Sequence, residues 1–94
     1  MKNKQIYCNT LLVGFHNCVA TTKILAITDS DSAPMRRLRQ EAENNSKFIN
    51  CTGGKKTKSL VHLSEGFVVA SSVQRETLAA RMEGKEIARE DIDF

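Results

Sequence analysis

Phe48-Ile49-Asn50-Cys51, Ser59-Leu60-Val61-His62-Leu63 and Phe67-Val68-Val69-Ala70-Ser71 are three short β-prone runs, and what lies between them decides the fold. Thr52-Gly53-Gly54-Lys55-Lys56-Thr57-Lys58 separates the first two, and Ser64-Glu65-Gly66 the last two. Apolar, partly β-branched runs bounded by glycine-containing polar clusters read as strands joined by turns, so the simplest arrangement is a three-stranded meander. The first turn is then a hairpin tip. Its two glycines permit positive φ, and Lys55, Lys56 and Lys58 follow them closely enough to meet successive phosphates.

Upstream of these strands, Ser32 offers an N-cap and Pro34 sits in a first helical turn, where a missing N–H costs nothing. Met35, Leu38 and Ala42 fall on one face of that helix, and Asn44 and Asn45 stop it. Ile24-Leu25-Ala26-Ile27, ending in the turn-forming Asp29-Ser30-Asp31-Ser32, reads as a buried strand. A first strand is predicted over residues 5–13, broken by Gly14 and followed by a loop over 14–20. Downstream, Ser72 can cap a last helix carrying Val73, Leu78 and Met82 and ending near Gly84. The predicted order is β-β-α-β-β-β-α, a small single α+β domain over residues 1–82 with a frayed acidic tail over 83–94.

Charge divides at the same boundary. Residues 1–82 carry twelve Lys/Arg against six Asp/Glu, whereas 83–94 carry two against five. The folded part is therefore basic, which suits a polyanionic partner without requiring one. At 94 residues the core is modest, so association with further copies is a natural route to more burial. No apolar run is long enough to span a bilayer, and the polar Gln5, Asn9 and Thr10 interrupt any signal core. An odd number of widely spaced cysteines, Cys8, Cys18 and Cys51, suits reduced thiols. A cytoplasmic location and no membrane partner are expected.

The chemistry-bearing alternatives are weak. A phosphate loop of the nucleotide-hydrolase type would need glycine at Ile49 and Ser or Thr at Lys56. Cys8, His16, Cys18 and Cys51 lack the spacing of any recurrent zinc module. No nucleophile, base and orienting group are marked, so neither enzyme activity nor a cofactor is expected. His62, within a strand, reads as structural, and Arg36, Arg37 and Arg39 read as a solvated helix face with Glu41 and Glu43 as i,i+4 partners. The lysine tip itself suits either phosphate contact or a solvated charged turn, and spacing alone does not separate the two.

Asp31-Ser32-Ala33-Pro34-Met35-Arg36-Arg37, Cys51 through Lys58, and Ser71-Ser72-Val73-Gln74-Arg75-Glu76-Thr77, in this order and at this spacing, resemble the RemA family of bacterial regulators of extracellular matrix (biofilm) genes. The likeness runs from about Val13 to Met82. It implies a transcription regulator with a LytTR-related fold, eight subunits closed into a ring, and double-stranded DNA along that ring. The family's basic pair that contacts DNA falls on Lys55 and Lys56, and a further DNA-linked basic residue falls on Lys23. Where the family usually shows Arg-Arg-x-Arg, this chain has Lys55, Lys56 and Lys58, which keep the charge but lose the bidentate fork that reads guanine. His16 stands where a second glycine is frequent, and Arg75 replaces a proline. The expectation is a DNA-binding ring with Lys55, Lys56, Lys58 and Lys23 as its contacts. An RNA-binding protein on the same basic edge and a structural ring or adaptor without nucleic-acid binding are the rivals.

Overall fold

The computed structural model describes residues 9–84. The start of the first predicted strand and the tail beyond Gly84 lie outside the described residues. Within them the chain runs β1 (Thr10–Gly14), β2 (Asn17–Ala20), a 3-10 turn (Thr21–Lys23), β3 (Ile24–Thr28), α1 (Ala33–Asn44), β4 (Phe48–Asn50), β5 (Ser59–Leu63), a second 3-10 turn (Ser64–Gly66), β6 (Val68–Ser71) and α2 (Arg75–Met82). The α+β class stands, but the order is β-β-β-α-β-β-β-α. The added strand is β2, which turns the expected loop over 14–20 into a hairpin with β1.

Four strands form one sheet in the order β3-β5-β6-β4. β5 and β6 are its central strands, and alternation along them feeds two cores. Val61 and Val69 point to one face, where Leu11 and Val13 of β1, Cys51, Val73 and Leu78 of α2 close over them. Leu60, Val68 and Ala70 point to the other, covered by Ala42, Met35 and Phe48. Strands buried on both faces read as continuous apolar runs, which is why 59–61 and 68–71 are legible in the sequence.

Three expectations need correction. The meander does not form: β5 and β6 pair antiparallel, but β4 lies on the far side of β6 and runs parallel to it, with Phe48 opposite Val68 and Asn50 opposite Ala70. The lysine segment is therefore not a hairpin tip but a crossover that passes the end of β6. Secondly, β3 is an edge strand rather than a buried one. A register irregularity between Ile24 and Ala26 throws Leu25 outward, 73% exposed. Thirdly, α2 begins at Arg75 after Gln74, so Ser72 and Val73 form a buried approach to the helix rather than its cap.

α1 starts and stops where Pro34 and Asn44-Asn45 indicate. Ser32 holds the N-cap position without a side-chain cap bond, while Asp29 Oδ1 just upstream accepts from the N–H groups of Asp31 (3.0 Å) and Ser32 (2.9 Å). Those two N–H groups hold the Asp29 carboxyl below its ordinary range. No helix among the described residues is long and apolar enough to cross a membrane.

Candidate nucleic-acid interface

Residues 53–58 leave β4 and enter β5, two strands that share no edge, so the segment has to bridge the width of β6. Its beginning is fixed by an Asx-type turn: Asn50 Oδ1 accepts from the Thr52 N–H at 2.9 Å and from the Thr52 hydroxyl at 2.6 Å. Thr52 is buried. The chain then reverses, with the Lys55 N–H donating to the Thr52 carbonyl at 3.0 Å. The two central residues of that turn have φ +61° and +87°, a conformation that requires the glycines standing there, Gly53 and Gly54. At the far end Lys58 N–H donates to the Ser71 carbonyl at 2.8 Å, and the Ser30 hydroxyl donates to the Thr57 carbonyl at 3.2 Å.

The backbone of the loop is thus tied to β4, to the end of β6 and to the turn after β3, while Lys55, Lys56 and Lys58 remain exposed. Among the described residues no carboxylate lies within ion-pair distance of any of the three. Their neighbourhood is not uniformly cationic. A groove of about 310 Å³ beside the loop is lined by Lys56, Thr57 and Lys58, by Asp29 and Asp31, and by residues 74–76. The cation of Arg75 is already engaged there, Nη1 lying 3.9 Å from Asp29 and Nε 3.4 Å from Glu76. The groove is therefore of mixed charge.

Lys23 is not brought to the others. β3 runs from Ile24 opposite Leu63 to Thr28 opposite Leu60, so Lys23 ends one side of the sheet and Lys58 begins the other. At ~3.3 Å per strand residue the separation is on the order of 20 Å within one chain. On α1, Arg39 pairs with Glu43 at 3.4 Å and stacks over Phe48 at 4.8 Å, and Arg36 Nη1 donates to the Asp31 carbonyl at 2.6 Å. The expected Arg37–Glu41 ion pair is not among those formed by the described residues. The helix arginines are largely occupied with their own surface.

Sequence reasoning passed over Asn50, Thr52, Ser30 and Phe15, whose ring lies 5.3 Å from the Lys55 ammonium. The Asn-x-Thr spacing before two glycines was the available signal for the first pair. Of the thiols, Cys18 is exposed and Cys51 buried, and burial pushes the Cys51 thiol up. Among the described residues no three His, Cys, Asp or Glu side chains gather as a metal shell would.

The described residues thus form a small α+β domain whose crossover loop carries three exposed lysines with no ion-pair partner among those residues. The model of the RemA-like family, "Extracellular matrix regulatory protein A-like", matches residues 10–82, and the chain belongs to that family. It is 40% identical to a protein of Dictyoglomus thermophilum over 77% of this chain and 85% of the relative. It is 37% identical to a protein of Nitratidesulfovibrio vulgaris (86% and 88%) and to one of Bacillus cytotoxicus (86% and 93%). All three carry the name "Putative regulatory protein".

Proposed function

We propose that this chain is a transcription regulator that binds double-stranded DNA as a closed homo-oligomer, each subunit contributing Lys55, Lys56 and Lys58 from the crossover loop and Lys23 from the opposite end of the sheet. The observation that carries the reading is the pairing of an immobilised loop backbone with three lysines that have no carboxylate partner among the described residues. A solvated turn has no need of such anchoring, whereas phosphate contact gains from it, because a held loop loses less entropy on binding. Lysines supply charge without the planar fork, so affinity rests on the phosphate backbone and preference comes from DNA shape and bendability.

Self-association is supported by apolar surface that the single chain leaves open. Leu25 is 73% exposed on the bulged edge strand, and Leu38 on α1, 41% exposed, shares with it a groove of about 280 Å³. Among the described residues the sheet has free edges at β3 and β4 on opposite sides, so a contact from one edge to a different surface of the next copy repeats head to tail and closes as a ring when the rotation permits. The test is light scattering followed by titration of duplex DNA at two salt concentrations, with single-stranded RNA as competitor. A mass several times 10.5 kDa and duplex affinity that falls steeply with salt are expected. A monomer, salt-insensitive binding, or preference for the RNA overturns the reading.

A further inference from the structure

We propose that Phe15 is a positioning residue for Lys55, and that the β1–β2 hairpin acts as a splint under the DNA-contacting loop. The inference rests on the DNA-binding reading above and names a residue outside the lysine loop on which that loop depends.

The β1–β2 connection is a two-residue turn, Phe15-His16, with φ +53° and +65°. Positive φ at both centres is the pattern of a primed hairpin turn, and it is unfavourable for L side chains other than glycine. The hairpin is nonetheless held in place, because two residues before the turn the buried Ser71 hydroxyl donates to the Val13 carbonyl at 2.7 Å. The result is that the Phe15 ring is carried onto Gly53.

The fit there is close. A Cβ placed on Gly53 would meet Cδ1, Cε1 and Cε2 of Phe15, all at 2.8 Å. Equal distances to atoms on both sides of the ring put that position over its face, not its edge. The ring therefore lies flat on the glycine, and Gly53 is required for this approach as well as for its φ of +61°. The Lys55 ammonium lies 5.3 Å from the centroid of the same ring, within cation–π range. Neither Lys56 nor Lys58 has such a contact among the described residues. Lysine is costly to immobilise because its four-carbon stem has many rotamers, so a ring that already restricts Lys55 lowers the entropy lost when a phosphate arrives. The ring takes none of the ammonium's three donors through a formal hydrogen bond, so they stay available to oxygen. Lys55 is then the preorganised cation of the three, and its contribution to binding exceeds that of Lys56.

The test uses the whole chain with a duplex DNA probe. Phe15→Leu should weaken binding by roughly two- to five-fold for each engaged subunit, Phe15→Tyr should restore it, and Phe15→Leu should add nothing in a Lys55→Ala background. In DNA-free protein, the Lys55 ε-methylene protons should be shifted upfield by the ring current in the wild type and in Phe15→Tyr. Ordinary Lys55 shifts, wild-type affinity in an assembled Phe15→Leu protein, or effects that simply add overturn the inference while leaving DNA binding intact. If Phe15→Leu fails to fold, equal weakening by Lys55→Ala and Lys56→Ala does the same. A wild-type protein that ignores duplex DNA overturns both readings.

Discussion

The Ser71 hydroxyl, wholly buried at the end of β6, donates to the Val13 carbonyl at 2.7 Å and accepts the Val73 N–H at 3.0 Å. One side chain thus joins the β1–β2 hairpin, the central sheet and the approach to α2. Ser71→Ala leaves a buried carbonyl and a buried N–H short of a partner, at a cost of about 2 kcal/mol, or on the order of 10 °C in Tm for a domain of this size. Thermal unfolding followed by circular dichroism checks it, and a fall of under about 2 °C would show that the neighbours re-pair without the hydroxyl.

Lys55→Ala with Lys56→Ala should remove most duplex affinity and leave the fold intact, since both side chains are exposed. The slope of log K against log salt should become shallower by roughly 0.9 for each phosphate the variant no longer neutralises. Arg36→Ala with Arg37→Ala makes the same charge change on α1 and should have a much smaller effect. Lys23→Ala should add independently to the loop pair, because the two sites are far enough apart not to share partners. Anisotropy titrations at two salt concentrations decide this, and equal effects from the two double variants would reduce the loop to long-range attraction.

How far the sequence reached is best seen residue by residue. Pro34 and Asn44-Asn45 bounded α1, and the uninterrupted apolar character of 59–61 and 68–71 marked β5 and β6, because these signals are local. β2 was missed because its turn is Phe15-His16, which has none of the glycine or asparagine that flags a primed turn, and because only Val19 of its four residues packs inward. The parallel seat of β4 is tertiary information: consecutive strands are usually neighbours, and nothing in 48–50 states otherwise. At the site, the lysines and glycines were legible. The frame that holds them was not, since Phe15, Ser30 and Ser71 lie far from the loop in sequence.

Leu25 separates stability from assembly. Its run reads as a buried strand because apolar, β-branched character is the same whether a strand lies at the centre of a sheet or at its edge. Under the proposed self-association the exposed Leu25 is covered by a second copy. At 73% exposure, Leu25→Asp should change the stability of the single chain by no more than about 0.5 kcal/mol. The same change should lower the mass measured by light scattering. An unchanged mass would remove the β3 edge from the self-association surface.

His16 occupies the second turn position at φ +65°. Glycine adopts that conformation freely, histidine tolerates it, and a β-branched residue does not. His16→Gly should hold stability within about 1 kcal/mol, whereas His16→Val should lose about 1–2 kcal/mol. Chemical denaturation of the two variants side by side tests this, and equal midpoints would mean the turn relaxes away from positive φ.

His62 is half-buried on β5, its Nε2 2.9 Å from the Thr28 hydroxyl, which itself donates to the Asp29 carbonyl. When the hydroxyl proton goes to the Asp29 carbonyl, the neutral ring donates from Nε2. Burial holds its pKa below the ordinary 6.5. In the window between that lowered value and 6.5 the unfolded chain binds the extra proton and the folded chain does not, so stability should rise with pH through the window and be lost as pH falls through it. His62→Gln should flatten this part of a stability profile measured from about pH 5 to 7, and an identical slope in the variant would assign it to other groups.

β6 is wedged between two strands that both precede it in the chain, and this gives vectorial synthesis a particular outcome. Lys55, Lys56 and Lys58 emerge from the ribosome before Ser71, whose carbonyl receives the Lys58 N–H and whose strand sets the span the loop must cross. At ~5–20 residues per second the delay is roughly one to three seconds. During that interval the cationic segment lacks its anchor on β6, and only contacts to residues that precede it, such as those between Asn50 and Thr52 and between Ser30 and Thr57, can form. The last anchor of the proposed binding loop is therefore supplied by a strand that carries none of its lysines.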